Sequence, residues 1–270
     1  LGAALSVWYL QEQGKRKKPT IRDTMKGSYL GPAFSDDEIE DELKSCGAFY
    51  KKLSEDDLIE EVAKSLIDEK AVGWMQGRME FGPRALGGRS IIADPRSPKI
   101  QKQLNLKIKY RESFRPFAPS ILREDVSDWF ELNIDSPYML LVADVLKDKC
   151  RKMTLEEEGL FGLDKLNISR SDVPAITHVD YSARIQTVHK DTNPLYYALI
   201  SKFKSLTGCP LVVNTSFNVR GEPIVCSPTD AFKCFMGTEL DVLAINNYLL
   251  VKEDQDKAHK KNYKEYYELD

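Results

Sequence analysis

A chain of 270 residues, 42% hydrophobic and 30% charged, has enough apolar side chains for one large core or two small ones and is neither collagenous nor intrinsically disordered in composition. The formal charge of −3 conceals an asymmetry. Residues 71–123 hold eleven basic and three acidic side chains, a local balance of +8, so the focus is an anion site rather than a surface that coats nucleic acid. No apolar run approaches the roughly 20 residues of a membrane span. Cys46, Cys150, Cys209, Cys226 and Cys234 form no C-x-x-C pair, and His178, His189 and His259 lack metal-site spacing. A disulfide framework and a zinc site are therefore excluded, no metal ligands are assigned, and a reduced, cytoplasmic protein is expected.

Taken in chain order, Leu1–Leu10 is apolar but short, with basic residues Lys15–Lys18 after it rather than before, so it is no secretory signal. It reads as the end of a helix belonging to an upstream domain, in a chain truncated at its front. Residues 11–30 read as linker. Ser35 and Ser54 are N-caps for two acidic-faced helices, the second with Leu58, Val62, Leu66 and Ile67 at helical spacing. Strands are expected at Ala71–Gln76, Arg89–Ala93, Phe117–Leu122, Tyr138–Val145, Ala183–Val188, Pro210–Asn214, Val242–Asn246 and Tyr248–Lys252. Ser97–Pro98, Asn193–Pro194 and Ser227–Pro228 each read as a helix start with proline in the first turn. Strands interleaved with capped helices make an α/β domain over 31–252, followed by a charged tail over 253–270.

Four segments carry chemistry. The stretch 73–96, GWMQGRMEFGPRALGGRSIIADPR, places Arg78, Arg84 and Arg89 in a glycine-rich loop, and these arginines converge only if the loop wraps an anion. It is not a P-loop, because no G-x-x-x-x-G-K-[ST] occurs, so side chains would do the binding. Next, KIKYRESFRPFAPSIL holds Lys107, Lys109, Arg111 and Arg115, the last stiffened by Phe114, Pro116, Phe117 and Pro119 into a phosphate clamp. In THVDYSARIQTV, Arg184 lies at the start of an apolar strand and needs a partner or a ligand, whereas His178 alone is a weak signal. Finally, LVVNTSFNVRGEPIV ends a strand in Asn214, Thr215 and Ser216, where α/β sheets place ligands; Asn218 serves a polar turn equally well.

These blocks, GRMEFGPRALGGRSIIADPR, KYRESFRPFAP, HVDYSARIQTV and NTSFNVRGEPIV with SPTDAF, closely resemble the C-terminal domain of the O-carbamoyltransferases that modify nodulation factors, cephalosporins and aminoglycosides. The resemblance implies a YrdC-like twisted mixed β-sheet with flanking helices. It implies ATP and Mg²⁺ as cofactors, carbamoyl phosphate as substrate, and a carbamoyl-adenylate intermediate passed to a hydroxyl by an N-terminal actin-like domain. Lys109 and Arg115 match positions that hold carbamoyl phosphate, with Arg84 adjacent. Arg184 and Ser216 match nucleotide-contacting positions, with Asn214 beside them and Arg78 in the same set. Arg84, Lys109, Arg115 and Arg184 form the implied catalytic group. Tyr181 stands where the family has glycine, which would narrow or cover the site. Two other readings stay open, an RNA-binding module and an inactive regulatory domain; the second predicts Arg115 or Arg184 paired in the core with a buried carboxylate. The acceptor and the oligomeric state, a homodimer included, are left open.

Overall fold

The computed structural model describes residues 2–16, 23–166 and 168–259. Among them, nine strands join in one mixed sheet: β1 (Lys51–Lys52), β2 (Val72–Met75), β3 (Arg89–Ala93), β4 (Ala118–Leu122), β5 (Leu141–Asp144), β6 (Ser182–Val188), β7 (Leu211–Ser216), β8 (Val242–Ile245) and β9 (Tyr248–Val251). Their order is β1-β9-β8-β2-β3-β7-β4-β6-β5, with β2–β8 and β4–β6 parallel and the other pairs antiparallel. The α/β architecture expected from the sequence, a mixed sheet with flanking helices, is the one observed. The central strands β2, β3 and β4 are buried along their whole length, their polar residues Arg89, Ser90 and Ser120 included.

The helices form where their caps predict. Ser35 and Ser227 close full capping boxes with Glu38 and Asp230 at the heads of Asp36–Ser45 and Pro228–Gly237. Ser54 caps Glu55–Ile67, and Asn193 caps Pro194–Thr207, which ends at Gly208 with φ 77°. Glu55–Ile67 packs on Pro194–Thr207, and Asp36–Ser45 on Pro228–Gly237. Trp74, Tyr196, Phe203, Phe217 and Phe235 lie in the resulting core. The Trp74 indole donates to the Gly87 carbonyl at 3.0 Å, tying the core to the loop that precedes β3.

Several elements differ from expectation. Ser97 does not cap a helix: its hydroxyl accepts from Lys99 N in a turn, and the helix begins later, at Ile100–Gln103, continuing as a π-turn over Leu104–Ile108. The strand expected over Tyr138–Val145 is shortened to β5, because Met139 turns the chain with φ 55°. The two-residue β1, which pairs with β9, has no apolar pattern to betray it. Part of the segment read as linker packs on the domain: the Asp23 carboxylate accepts from Met25 N, Gly27 N and the Tyr138 hydroxyl, while the Tyr29 hydroxyl donates to the Leu86 carbonyl. Residues 17–22 of that segment and 260–270 of the tail lie outside the described residues. Gly2–Ser6 and Val7–Gln11 are helical and bury no side chain.

Candidate functional site

The loop between β2 and β3 is organised by a buried carboxylate. Glu80 accepts from Leu86 N at 2.6 Å, Gly88 N at 2.7 Å and Arg89 N at 3.4 Å, so three backbone donors of the loop fold around one side chain. Gly87, at φ 104°, sits so close to the Tyr196 ring that a Cβ would come within 2.4 Å of it. That close approach is why the turn requires glycine. The fold of this loop sets Pro83, Arg84 and Ala85 over the ends of the neighbouring strands.

The registers bring a polar stripe onto one face of those strands. Asn214 on β7 stands opposite Ala118 on β4, Ser120 beside Gln186 on β6, and Val142 on β5 opposite Arg184. The Asn214 amide donates to the Ala85 carbonyl at 3.0 Å, Ser120 Oγ at 3.0 Å and Gln186 Oε1 at 2.8 Å, while Gln186 donates to the Leu86 carbonyl at 2.8 Å. The stripe thereby fixes the orientation of Asn214 and clamps the arginine loop to the sheet.

Beyond the stripe opens a cleft of about 440 Å³, lined by Arg84, Arg111, Arg115, Arg184 and His178, by Asn214, Thr215 and Ser216, and by apolar side chains including Phe117, Met139 and Val142. Among the described residues no carboxylate lines it. Three of its polar atoms are buried with no hydrogen-bond partner: Arg84 Nε, Arg184 Nε and Asn214 Oδ1. Burial pulls the Arg184 guanidinium below its ordinary value, and the Arg84 charge adds to that; burial likewise lowers His178, against the pull of Asp180 and with Arg184 adding to the shift. A desolvated, mutually repelling set of cations with spare donors is held at a cost that an anionic ligand would relieve.

The structure brings Arg84, Arg115, Arg184, Asn214 and Ser216 together as the sequence led one to expect, and leaves others out. Arg78, Arg84 and Arg89 do not converge. Arg78 donates to the Gly31 carbonyl at 3.0 Å away from the cleft. Arg89 is 0% exposed and donates to the carbonyls of Gln76, Gly77, Gly88 and Cys226, since the chain there offers it backbone acceptors instead of a ligand. Lys109 is buried behind the lining, its amine on the Ser216 carbonyl at 2.5 Å, Ser216 Oγ at 3.2 Å, and the Asn218 carbonyl and Oδ1 at 2.8 Å each. Tyr181 does not line the cleft, and therefore neither narrows nor covers it in this structure. His178, a weak signal in sequence, does line it; Arg111 lines it too, and only its place in the basic cluster pointed there.

Among the described residues no group of three or more His, Cys, Asp or Glu could hold an ion. No helix among them is long and apolar enough to cross a membrane.

An arginine-lined cleft thus lies at the strand ends of a mixed α/β sheet. The chain belongs to the family described as the carbamoyltransferase C-terminus, whose model matches residues 63–252. It is 58% identical to an uncharacterized protein of Synechocystis, over 100% of this chain and 44% of that one. It is 40% identical to nodulation protein NolNO of Sinorhizobium fredii, over 93% of this chain and 34% of the relative. A solved structure of full-length HypF in its phosphate- and nucleotide-bound form is similar with TM-score 0.41 and 19% identity, over 71% of this chain and 20% of that chain. The chain thus spans less than half the length of these curated relatives.

Proposed function

We propose that the cleft binds carbamoyl phosphate and ATP and performs the activating half of an O-carbamoyl transfer. The observation that carries this reading is the pair of buried, unpartnered Nε groups of Arg84 and Arg184 in a lining without carboxylates. Water splits carbamoyl phosphate into carbamate and phosphate. A carbamate oxygen then attacks the α-phosphorus of ATP, the bond to the bridging oxygen breaks, and pyrophosphate leaves with the electron pair, giving carbamoyl adenylate. Charge builds on phosphate oxygens throughout, and fixed guanidinium groups stabilise it without rearranging; one such contact is worth on the order of 3 kcal/mol of barrier. Mg²⁺ enters as part of the MgATP substrate, since the lining supplies no carboxylate to hold it. No covalent nucleophile is required; the Cys209 thiol is pushed up to about 12 by burial.

The remaining parts of the proposal concern the whole protein. An N-terminal actin-like domain would pass the carbamoyl group to the hydroxyl acceptor, a reading supported by the greater length of the relatives. The free cysteines suit a reducing, cytoplasmic setting. The inactive-domain reading loses its premise. Arg115 pairs at 3.2 Å with Glu112, each about half exposed, and among the described residues Arg184 has no carboxylate partner.

Calorimetric titration with MgATP, with and without carbamoyl phosphate, tests the proposal on wild type and Arg184→Met. Wild type should bind both, and the variant should lose roughly 10- to 100-fold in nucleotide affinity, as expected for a charge-assisted contact. Absence of binding at millimolar ligand, in this chain and in the full-length protein alike, would overturn it.

A further inference from the structure

We propose that His178 carries the proton in the hydrolysis of carbamoyl phosphate, taking it from the attacking water and returning it to the departing phosphate. The inference rests on the reading of the cleft given above and assigns to one side chain the first chemical step, which the arginines cannot perform.

The lining holds charge but offers little that can move a proton. Arg84, Arg111, Arg115 and Arg184 line it as cations. Burial, and then the Arg115 charge, draws Arg111 down only to about 10, and its Nε is tied to Asn105 Oδ1 at 2.6 Å. Asn214, Thr215 and Ser216 accept no proton near neutral pH, and among the described residues no carboxylate lines the cleft. His178 is the lining side chain whose ordinary titration falls in that range. Lys109, drawn down to about 7, is the nearest rival, but it lies behind the lining with its amine already on four oxygens.

The fold sets the imidazole between the cleft and a recess of water size. His178 N donates to the Ser182 carbonyl at 2.9 Å and its own carbonyl accepts from Tyr181 N at 3.0 Å, which fixes it at the turn into β6. Besides the cleft, His178 lines a second cavity of about 40 Å³, shared with Gln101, Pro116, Ser169 and Thr177. That volume exceeds the roughly 10–15 Å³ that one water needs, and the surrounding side chains are partly polar. Asp180 favours the imidazolium, but its Oδ1 accepts from Ser182 N at 3.1 Å and Ser182 Oγ at 2.7 Å. Burial outweighs it and Arg184 adds to the effect, so the ring is neutral and able to accept at pH 7. The other charged groups of the two cavities, Arg84, Arg111, Arg115 and Arg170, are cations and act in the same direction.

The step balances. Water adds to the carbonyl carbon while His178 takes one of its protons. The bond from that carbon to the phosphate oxygen breaks, and phosphate leaves with the electron pair and the proton from the imidazolium. Carbamic acid remains and loses its proton to solvent, giving the carbamate that attacks ATP.

The test follows phosphate release from carbamoyl phosphate, above the rate without protein, in this chain and in the full-length protein. Wild type, His178→Gln and His178→Ala are compared between about pH 5 and 8, with calorimetric binding of carbamoyl phosphate alongside. Both variants should lose about 10²- to 10⁴-fold in kcat while affinity stays within about threefold. The advantage of wild type over His178→Gln should shrink as pH falls below about 6.5, where the imidazole is protonated. Added imidazole should restore part of the rate to His178→Ala and none to His178→Gln. If His178→Ala does not fold, the pH dependence of the His178→Gln ratio decides. Equal rates in wild type and His178→Gln overturn the proposal. So does a loss of rate that an equal loss of affinity explains, or a ratio that is flat with pH. Wild type that binds carbamoyl phosphate and releases no phosphate in either form overturns it too, whereas failure to bind sinks the reading of the cleft itself.

Discussion

Arg89 and Arg184 are both strand arginines drawn out of water, and burial lowers the pKa of each. Their surroundings are opposite. Arg89 is enclosed by backbone carbonyls that use its donors, whereas Arg184 has a buried Nε with no partner and a terminal nitrogen 3.9 Å from the Met139 sulfur. One arginine completes the fold. The other is left incomplete by it, and that incompleteness, in a cleft lined by no carboxylate of the described residues, is what supports the proposed ligand site.

The largest expected effect separates them by stability. Arg89→Met takes a buried donor away from five backbone carbonyls, those of Pro32, Gln76, Gly77, Gly88 and Cys226, and urea denaturation should show a loss of roughly 3–5 kcal/mol. Arg184→Met removes a half-buried cation whose Nε is buried without a partner, and should stay within about 1 kcal/mol of wild type, or gain slightly. An Arg184→Met protein as unstable as Arg89→Met would erase the distinction, and with it the case that Arg184 waits for a ligand.

Lys109 stands between the two, buried like Arg89 but behind the cleft like a member of the site. Burial, and secondarily the Arg111 charge, pulls its ammonium down to about 7. The unfolded chain holds this proton up to roughly pH 10. Between about pH 7 and 10 the unfolded state therefore binds more protons than the folded one, and stability rises with pH across that window. Relative to Lys109→Met, wild type should gain on the order of 1–2 kcal/mol between pH 7 and 8.5, read from denaturation midpoints at each pH. A flat difference would mean that the four oxygens around the amine hold it fully charged.

The parts of the fold that were legible in sequence are those with local causes. Ser35, Ser54, Asn193 and Ser227 announce their helices because a cap acts within three residues. β3 was read to its exact ends, with the glycine pair Gly87–Gly88 before it and Asp94–Pro95 after it as local breaks. The site was partly legible for the same reason: Arg184 in an apolar strand and Asn214–Ser216 at a strand end are anomalies visible without a structure. What stayed hidden depends on register and long-range contact. Ser120 and Gln186 join Asn214 only because β4 pairs with both β6 and β7. The fates of Arg78 and Arg89 depend on carbonyls contributed by Gly31 and Cys226, far away in the chain. Asn105 carries no signal of its own, since its partners are backbone groups and an arginine six residues on.

Tyr181 gives the smallest expected effect and a last check on which residues belong to the cleft. It adopts φ 66°, a left-handed conformation that costs a residue with a Cβ about 1–2 kcal/mol. Its amide donates to the His178 carbonyl at 3.0 Å, closing the turn that leads into β6, and its own carbonyl accepts from Val145 N at 2.9 Å. Backbone geometry thus accounts for the glycine expected at this position, because only glycine takes the turn without strain. Tyr181→Gly relieves that strain but returns about 0.5–1 kcal/mol to the unfolded chain as conformational freedom. The net gain should be near 0.5 kcal/mol by thermal denaturation, with phosphate and nucleotide affinities unchanged. A variant whose affinities rise while its stability stays level would place the tyrosine ring over the cleft in solution, and the lining would then have to include it.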